Sequence, residues 1–531
     1  MRCLESPGRS PVHSTHGMAA TSHPLSSNVA LDILKQGGNA LDAAIAACAV
    51  QCVVEPHSTG IGGDCFCLYA PEGSADLVAY NGSGKTPAAA TIGWYQQQGI
   101  TSIERQSPHS VTVPGAVNAW HQLNQDHGRL SLAELLAPAI GYARNGYPVS
   151  SRVSVDFARQ IELLRNDRNA ASVFLVDGET PAVGSLHRQP ALATTLEAIA
   201  QNGRDAFYSG EIASDMVDYL NELGGLHTLE DFSSVSGEYV TPLSTSFRDY
   251  QVHQVPPNGQ GIIALQLLNI ASGFAVEEGK ALSADRIHLE IEAGRLAYQD
   301  RSLYVADQRH ASVPVEWMLS AEHAEEMRSS INPSAALDEL PQYRSPKQQS
   351  TVYISVVDKD RNTCSFINSI FHSFGSVQMA PRSGVMFHNR GESFVVEPGH
   401  PNCIDSSKRP MHTIIPGMVT RDDRAVMPYG VMGGDYQSYG HMQFLTRFLD
   451  FGMDIQEAQD MPRIFPAPGS RDVEVESTLP QSVVEALRAK GHRIVPAAIP
   501  LGGSQAIWID WSNGVLSGGS DPRKDGCAIG Y

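Results

Sequence analysis

The amino-acid sequence predicts an α+β protein, and three observations lead to that class. The chain has 531 residues, which is enough for a large core and for two or more domains. Residues 131–228 carry alternating amphipathic helices and short loops, and residues 284–300 read as one long helix. From Thr351 onward the pattern changes to short runs rich in β-branched residues, which is typical of strands.

The composition is that of a globular protein and narrows the partners that we expect. Hydrophobic residues make up 42% of the sequence and charged residues 18%, which argues against intrinsic disorder. The net charge of −19 argues against nucleic acid or an anionic membrane as the main partner. A small anionic substrate is not excluded, because it responds only to the local field of its pocket.

The sequence shows no signal for export, membrane insertion or metal binding. The first thirty residues lack a continuous apolar run, and no window has the length of a membrane-spanning helix. We therefore expect a cytoplasmic protein. Eight cysteines are too few for a disulfide scaffold, and none stands at zinc-like spacing to other ligands. We expect no cofactor and no metal ion, and we expect the cysteines to be mostly buried small side chains.

The first 300 residues predict helices joined by glycine-bearing turns. Ser26 or Ser27 can cap a first helix, and a second helix over 39–50 has small residues on nearly all sides, which favours close packing. A glycine-rich loop then precedes a strand. The remaining predicted elements are a strand over 65–69, a strand that turns into a helix over 109–120, and a helix that ends near 271.

The last third of the chain is predicted to be mainly strands. Gly433 and Gly434 form a turn that should begin a helix through about residue 448. A double glycine at a helix start presents backbone N–H groups to an anion, as an oxyanion site requires. The other predicted elements are strands over 351–357, 363–370, 385–387, 414–419, 473–476 and 506–510, a strand near 494, and a helix over 481–490.

Thr351 stands where a polar segment over 341–350 runs into the first of these strands. If the peptide bond before Thr351 were cut, this residue would carry a free amine and a hydroxyl at the start of a rigid strand. Those two groups form a nucleophile and its base. The alternative interpretation is an ordinary junction between a loop and a strand.

Eight segments together resemble the γ-glutamyltransferase-like branch of the N-terminal nucleophile (Ntn) hydrolases. They occur in that family's order over nearly the whole chain: residues 31–44, 60–63, 112–115, 296–302, 351–360, 408–410, 433–434 and 520–523. The resemblance implies a four-layer αββα sandwich and a proenzyme that cuts itself between Ser350 and Thr351. It implies a large subunit of residues 1–350 and a small subunit of residues 351–531 that share one core.

The resemblance also implies roles for the residues around the predicted cut. Thr351 is the expected nucleophile, and its α-amine, with an ordinary pKa of about 7.7–8.0, can accept the hydroxyl proton at neutral pH. Gly433 and Gly434 are the expected oxyanion donors. Ser369, on the neighbouring strand, is expected to orient the Thr351 hydroxyl. Before processing, the same hydroxyl would attack the carbonyl carbon of Ser350.

The expected substrate pocket departs from that of the transpeptidases. Asn81 stands where they hold the glutamate α-carboxylate with an arginine, and Ser393 replaces the aspartate that pairs with the α-amino group. Phe371 replaces an asparagine, and His412 and Thr413 replace a pair of serines. A buried ammonium without its carboxylate costs several kcal/mol, which argues against a γ-glutamyl substrate.

The remaining residues favour an acidic acyl group. Arg390 is suited to bidentate binding of a carboxylate, and Phe371 would narrow the pocket. His57 and His412 could add hydrogen bonds. The predicted substrate-binding set is therefore Arg390, Phe371, His412, Thr413, Asn81 and His57.

We predict a small anionic amide as the substrate, and oxamate, in purine breakdown, is the first candidate because the pattern resembles oxamate amidohydrolases. Three alternatives stay open: a glutaryl or cephalosporin acylase, a γ-glutamyl hydrolase or transferase, and a non-catalytic homologue. The expected partners are the substrate and the two subunits of one precursor, with a dimer of the processed heterodimer as a further alternative.

Overall fold

Two antiparallel sheets packed face to face form the centre of the molecule in the computed structural model, which describes residues 8–337 and 350–531. Of the polar segment predicted before the cut, only Ser350 falls within these residues. Helices cover the outer face of each sheet. The predicted four-layer αββα sandwich is therefore confirmed.

Each of the two large sheets has seven strands, and each strand runs antiparallel to its neighbours. The first sheet contains Thr351, and its strands lie in the order Cys527–Gly530, Met18–Thr21, Ser350–Val357, Thr363–Phe371, Asp64–Ala70, Val78–Gly82 and Glu238–Val240. The strands of the second sheet lie in the order Val12–Ser14, Val515–Ser520, Gly503–Asp510, Arg424–Met432, Gly417–Arg421, Tyr250–Gln254 and Leu243–Phe247.

The strand Ser350–Val357 lies inside the first sheet and is buried from Thr351 onward. It pairs with Met18–Thr21 on one side and with Thr363–Phe371 on the other. Both large sheets thus combine strands from before and after Thr351. The division into two subunits at this residue stays a prediction, and both parts of the chain contribute to one core.

The helix Ala40–Val54 covers the outer face of the first sheet. Asn39 caps it, and Asp42 completes a capping box by accepting from the Asn39 backbone N–H. Every residue of this helix is buried, as its small side chains predicted. The preceding helix, Pro24–Lys35, begins after His23, so the predicted cap at Ser26 or Ser27 was wrong: a proline at the first helical position starts the helix earlier.

The second sheet is covered by the helices Gly261–Ala271 and Tyr436–Leu445, with the long helix Ala284–Tyr304 outside them. A π-helical turn, Thr446–Asp450, extends the second of these. The remaining helices are Ile92–Gln97, Ala116–His127, Leu132–Asn145, Ser151–Ala158, Ile161–Leu164, Arg168–Phe174, Pro190–Asn202, Arg204–Tyr208, Glu211–Glu222, Leu229–Ser233, Val315–Met318, Ala321–Ser330, Ile455–Asp460 and Gln481–Ala489.

Short elements complete the described chain. Three 3₁₀ turns are Pro71–Gly73, Pro108–Ser110 and Arg390–Ser393. A three-stranded sheet contains Ile464–Pro466, Asp472–Val475 and Arg493–Pro496, and a two-stranded one contains Tyr147–Pro148 and Leu186–His187. The strand predicted near the start of 109–120 is the end of a 3₁₀ turn followed by an irregular segment, and in 385–387 only Met386 and Phe387 form isolated bridges, so both strand predictions were wrong.

One central strand, Arg424–Met432, was not predicted, because Pro428 and Gly430 are weak strand formers. Packing against the facing sheet explains why residue 430 is a glycine. A Cβ at this position would lie 2.4 Å from Cε2 of Tyr353, so the glycine makes room for that ring between the sheets. Packing between the two layers therefore overrides the local preference.

The described cysteines fit their predicted packing role. Six of them are buried and Cys527 is half-buried, and none forms a disulfide. In the described ranges, no helix combines the length and apolar character needed to cross a membrane.

Candidate active site

Thr351 lies at an irregularity in the pairing of its strand. Ser350 faces Phe371 on the neighbouring strand and Val352 faces Asn368, so the register shifts by one residue between them. Such a bulge re-aims a side chain out of the regular alternation of a strand. Thr351 is only 2% exposed, whereas Ser350 is half-buried.

Ser369 connects the Thr351 hydroxyl to the peptide bond before it. Thr351 Oγ1 donates to Ser369 Oγ at 3.3 Å, and Ser369 Oγ donates to the carbonyl oxygen of Ser350 at 2.9 Å. The backbone N–H of Phe371 donates to the same hydroxyl, also at 2.9 Å, and fixes its position. The Ser369 hydroxyl thus lies between the Thr351 hydroxyl and the Ser350 carbonyl, and its predicted role in orienting the Thr351 hydroxyl stays a prediction.

Gln437 is a second contact of the Thr351 hydroxyl, and it was not among the predicted site residues. Its Nε2 lies 3.5 Å from Thr351 Oγ1, while its Oε1 accepts from the backbone N–H of Ile415. The signal was its place in the first turn of the helix that follows Gly433 and Gly434. An amide anchored at one end can hold the hydroxyl without changing charge.

Gly433 and Gly434 have φ angles of 116° and 57°, and residues with a side chain rarely adopt such a backbone conformation. Their carbonyl oxygens accept from Tyr436 and Gln437 and begin the helix, while neither N–H donates a hydrogen bond to a described residue. Gly433 lines the same cavity as Thr351. Two backbone donors left free at a helix start are suited to stabilising an oxyanion, and their role in catalysis stays a prediction.

Arg390 is fully buried, and no carboxylate of the described residues is hydrogen-bonded to it. Its Nη1 donates to Thr413 Oγ1 at 2.7 Å, and its guanidinium lies 4.6 Å from the ring centre of Phe371. Its Nε and Nη2 have no hydrogen-bond partner in the described chain. Burial lowers the pKa of Arg390 to about 9, and only the nearby Asp64 carboxylate opposes that shift. Three of the predicted substrate-binding residues, Arg390, Phe371 and Thr413, are thus brought together.

Asp64 organises the loops around this arginine. Its Oδ1 accepts from the backbone N–H groups of Gly84 and Gly115, and its Oδ2 lies 3.1 Å from His412 Nε2. Burial and the Arg390 charge lower the pKa of His412, so its imidazole is neutral and can donate to Asp64. His412 therefore supports the arginine pocket through Asp64. Asp64 was missed as a site residue, although it ends one of the glycine motifs.

Of the other two predicted binding residues, Asn81 is hydrogen-bonded within the protein and His57 lies next to a carboxylate. Asn81 Nδ2 donates to Asn258 Oδ1, and Asn81 Oδ1 accepts from the backbone and hydroxyl of Ser83. His57 is fully buried, and its Nε2 lies 3.2 Å from Asp156. Neither residue lines the cavity beside Thr351, and the same holds for Arg390, Phe371, His412 and Thr413, so contact of the predicted binding set with a substrate stays a prediction.

A cavity of about 420 Å³ opens beside Ser350 and Thr351. Its wall is partly apolar, with Phe465 and Leu501, and partly charged, with Lys524. Its volume lies in the range of small-molecule sites. The further lining residues include Arg152, Asp156, Arg159, Tyr436, Pro468, Ile499 and Pro500.

Comparison with known proteins matches the chain to a family. The family model described as gamma-glutamyltranspeptidase covers residues 26–531. The chain belongs to the gamma-glutamyltranspeptidase family. Its members are Ntn hydrolases that act on amide bonds and are made as self-processed proenzymes, and this chain is an enzyme of that class.

Two relatives and one solved structure match the chain over nearly its full length. It is 35% identical to the glutathione hydrolase-like YwrD proenzyme of Bacillus subtilis, over 98% of this chain and 99% of the relative. It is also 35% identical to the oxamate amidohydrolase proenzyme of Klebsiella pneumoniae, with the same coverage. The crystal structure of a cephalosporin acylase from Bacillus halodurans is 39% identical, with a TM-score of 0.93, and covers 100% of this chain and 98% of its own.

Proposed function

We propose that this member of the gamma-glutamyltranspeptidase family is a self-processing amidohydrolase whose substrate carries a carboxylate on its acyl part. Oxamate, hydrolysed to oxalate and ammonia, is the first candidate. The observation that carries the proposal is Arg390, a buried cation next to Phe371 with two guanidinium nitrogens that have no partner among residues 8–337 and 350–531. Phe371 in turn faces Ser350 across the strand pair, so the arginine lies close to the predicted cut.

A carboxylate is the ligand that fits this arginine. Taking a charge out of water is costly unless it is paired, and the side chain has donors left for a planar bidentate partner. Thr413 and the Phe371 ring fix the guanidinium in place, so little conformational entropy is lost on binding. An acyl group with a carboxylate would complete the pocket.

A γ-glutamyl substrate would meet a different pocket. Ser393, in the position where the transpeptidases bind the α-amino group with an aspartate, has a buried hydroxyl with no partner in the described chain. A neutral hydroxyl cannot neutralise a buried ammonium, which would cost several kcal/mol. The γ-glutamyl alternative is therefore the weaker one.

Self-processing would use the contacts already in place. The Thr351 hydroxyl attacks the carbonyl carbon of Ser350, the negative charge develops on the oxygen that Ser369 already binds, and the Thr351 nitrogen leaves as an amine. The resulting ester between Ser350 and Thr351 is hydrolysed by water. Residue 350 then ends the large subunit, and Thr351 begins the small subunit with a free amine.

Amide hydrolysis would reuse the same hydroxyl. The free amine of Thr351 accepts its proton, Oγ1 attacks the substrate carbonyl, and the oxyanion binds the N–H groups of Gly433 and Gly434. The amine product leaves with that proton. Water then hydrolyses the acyl ester on Thr351 and restores the enzyme.

A second candidate, an acylase for longer dicarboxylic acyl amides, is favoured by the cavity beside Thr351. About 420 Å³ is far more space than ammonia or oxamate needs, and Phe465 and Leu501 offer an apolar wall. The similarity to a cephalosporin acylase supports the same candidate. The two candidates share the Arg390 carboxylate site and differ in the size of the group that leaves.

Processing is the first experiment. We expect the purified chain to give fragments of 350 and 181 residues on a denaturing gel, with threonine at the new N-terminus. Thr351→Ala should stay uncleaved, whereas Thr351→Ser, which keeps a hydroxyl, should still cleave. A wild-type chain that remains intact and inactive would support the non-catalytic homologue.

A substrate panel on the processed enzyme then separates the remaining candidates. Ammonia release from oxamate supports the first candidate, and release of the amine from glutaryl amides supports the second. Transfer from a γ-glutamyl anilide to glycylglycine would support the transferase instead. Uncharged amides of the same size, oxamide for oxamate and glutaramide for glutaramate, are the matched controls for the carboxylate.

A further inference from the structure

Three buried side chains with metal-binding chemistry cluster away from the cavity of Thr351. His288 and Glu292 lie one turn apart on the helix Ala284–Tyr304, and His492 comes directly before the strand Arg493–Pro496. One possible ligand atom of each lies within 4.8 Å of the other two. The two histidines are 204 residues apart in the sequence, which is why spacing gave no sign of them.

The hydrogen bonds of the cluster define which nitrogen atoms carry lone pairs. His288 Nε2 lies 2.7 Å from the carbonyl oxygen of Asn332 and must donate to it. In a neutral ring, His288 Nδ1 is then an acceptor, and His492 Nε2 donates to it at 2.7 Å. This leaves Nδ1 of His492 without a proton.

Nδ1 of His492 has no hydrogen-bond partner in the described chain, and its side chain is fully buried. The nearest polar atom on the other side is Oε1 of Glu292, at 3.8 Å. Two groups with lone pairs therefore face each other in a buried place without a donor between them. Such a pair is unfavourable alone and suits a cation.

The dimensions fit a transition-metal ion. Zinc binds histidine nitrogen at about 2.0–2.1 Å and carboxylate oxygen at about 2.0–2.2 Å, so an ion can lie between two atoms 3.8 Å apart. Two imidazoles and one carboxylate are a ligand set of zinc proteins. Magnesium and calcium prefer oxygen ligands and fit this set poorly.

We propose that His288, Glu292 and His492 bind one Zn²⁺ ion. A small rotation of the His492 ring turns one of its nitrogens toward the ion and releases Nδ1 of His288 from the hydrogen bond between the two rings. Nδ1 of His288 and the Glu292 carboxylate are then the other two protein ligands, and water completes the shell. This proposal departs from the expectation of no metal ion drawn from the sequence.

The surrounding groups hold the ligands in position. Arg295 Nη1 donates to Glu292 Oε1 at 2.8 Å, and the backbone N–H of Leu337 donates to Glu292 Oε2 at 2.8 Å. Partners of this kind orient metal ligands and typically change affinity 10–100-fold. The charge of Arg295 also opposes a second cation, so the site should bind Zn²⁺ less tightly than one with an unpaired carboxylate.

The position of the site suggests what the ion does. Asn332 and Leu337, which contact His288 and Glu292, belong to the last described stretch before the predicted cleavage point. The ion therefore connects the long helix and the strand that follows His492 to the end of the predicted large subunit. We assign it a structural role, because none of its ligands lines the cavity of Thr351.

Metal titration of the untagged full chain tests the proposal. After treatment with a chelator, we expect calorimetry to show one Zn²⁺ bound per chain and thermal unfolding to move to higher temperature with Zn²⁺ but not with Mg²⁺. Glu292→Gln and His492→Gln should each weaken Zn²⁺ binding at least about 10-fold. His310→Gln, at an exposed histidine elsewhere, is the matched control and should keep the wild-type affinity.

A spectroscopic measurement covers variants that fail to fold. X-ray absorption of the zinc-loaded wild-type chain should show two imidazole ligands with zinc–nitrogen distances of about 2.0 Å. Absence of binding to the wild-type chain would overturn the proposal. Binding that survives in both His492→Gln and Glu292→Gln would overturn it as well, because the ion would then occupy another site.

Discussion

Arg390 and Arg447 are both fully buried arginines, but their surroundings differ. Arg447 donates to both oxygens of Glu290, at 2.6 and 2.9 Å, and the Glu290 charge raises the pKa of Arg447 against the effect of burial. Arg390 meets a hydroxyl, an aromatic ring and a more distant Asp64, and burial lowers its pKa. One charge is neutralised within the fold, whereas the other is left partly uncompensated.

This difference separates an arginine that stabilises the fold from one that can bind a ligand. A buried pair loses stability when either member is removed, because the other charge stays behind without its partner. Burying an arginine that has free donors lowers the stability of the fold. A substrate carboxylate that binds these donors can offset part of that cost. The comparison assigns Arg447 to the fold and Arg390 to recognition, and the following variants test that assignment.

Arg447→Met should have the largest effect, and on stability alone. Glu290 would keep only Arg286 as a partner, and the free energy of unfolding should fall by about 3–5 kcal/mol. Chemical denaturation measures this change. Below its unfolding temperature, the variant should keep the wild-type kcat/KM, and a loss of turnover in the folded protein would show that Arg447 also acts on the site.

Arg390→Met should have the opposite effects, with a large loss of activity and little loss of stability. Removing one member of a buried charge pair with a substrate costs about 2–5 kcal/mol, which is about 30- to 4,000-fold in kcat/KM for a carboxylated amide. Stability should change by no more than about 1 kcal/mol, because no carboxylate depends on a direct hydrogen bond from this arginine. Steady-state kinetics and denaturation of the same preparation check both parts.

The control for Arg390→Met is an uncharged amide of the same size. Its turnover should be equal in the wild-type enzyme and in the variant, because it has no carboxylate to bind. If turnover of the carboxylated amide also stays unchanged, the arginine is not the recognition residue and the comparison with Arg447 fails.

Arg390→Lys should show a smaller loss, of about 10-fold in kcat/KM. Lysine keeps the charge but lacks the planar fork that binds both oxygens of a carboxylate. We expect the loss to appear mainly in KM, since the reacting groups on Thr351 are untouched. A lysine variant as inactive as the methionine variant would indicate that Arg390 positions Phe371 or Thr413 instead of binding substrate.

Local pattern predicts where Thr351 and Gly433 lie, at the start of a strand and in a turn before a helix. The junction at Thr351 left an ordinary loop-to-strand junction open, and the catalytic roles of both residues come from the resemblance and stay predictions. The order of the motifs along the chain identified the family. The layered fold came with it, because a resemblance over nearly the whole chain carries the architecture.

What the sequence could not predict depends on contacts between distant segments. Gln437 reaches Thr351 across 86 residues, and Asp64 reaches His412 across 348. The bulge at Thr351 depends on the register of two paired strands, which no single strand specifies. Asn81 was predicted as a binding residue from its place in the family pattern and His57 from its hydrogen-bonding groups, and neither signal shows the neighbours that these residues have in the fold.

The protonation state of Glu392, two residues after Arg390, gives the test of the Arg390–Arg447 comparison with the smallest expected effect. Glu392 belongs to the same 3₁₀ turn, yet it accepts from Asn389 Nδ2 at 2.5 Å and lies 3.5 Å from His372 Nδ1. Burial raises the pKa of Glu392 to about 7, against the opposing effects of Asn389 and Arg105. If it neutralised Arg390, its pKa would be low instead.

This raised pKa sets the sign of a pH effect. The folded state holds the Glu392 proton up to about pH 7, whereas the unfolded chain loses it near 4.5. Its contribution to stability is therefore complete below pH 4.5 and is lost as the pH rises through 7. Relative to Glu392→Gln, the wild-type enzyme should lose on the order of 1–2 kcal/mol between pH 5 and 8, allowing for partial solvent screening.

Denaturation curves across this pH range, with the exposed Glu397→Gln as the matched control, measure the effect. A constant difference between the wild-type enzyme and Glu392→Gln would mean that Glu392 is ionised throughout, and therefore that it compensates the charge of Arg390. In that case the arginine would already have its carboxylate within the protein, as Arg447 does. A difference that grows with pH would mean that Glu392 is protonated at low pH and does not neutralise Arg390. The substrate carboxylate would then remain as the partner of the arginine.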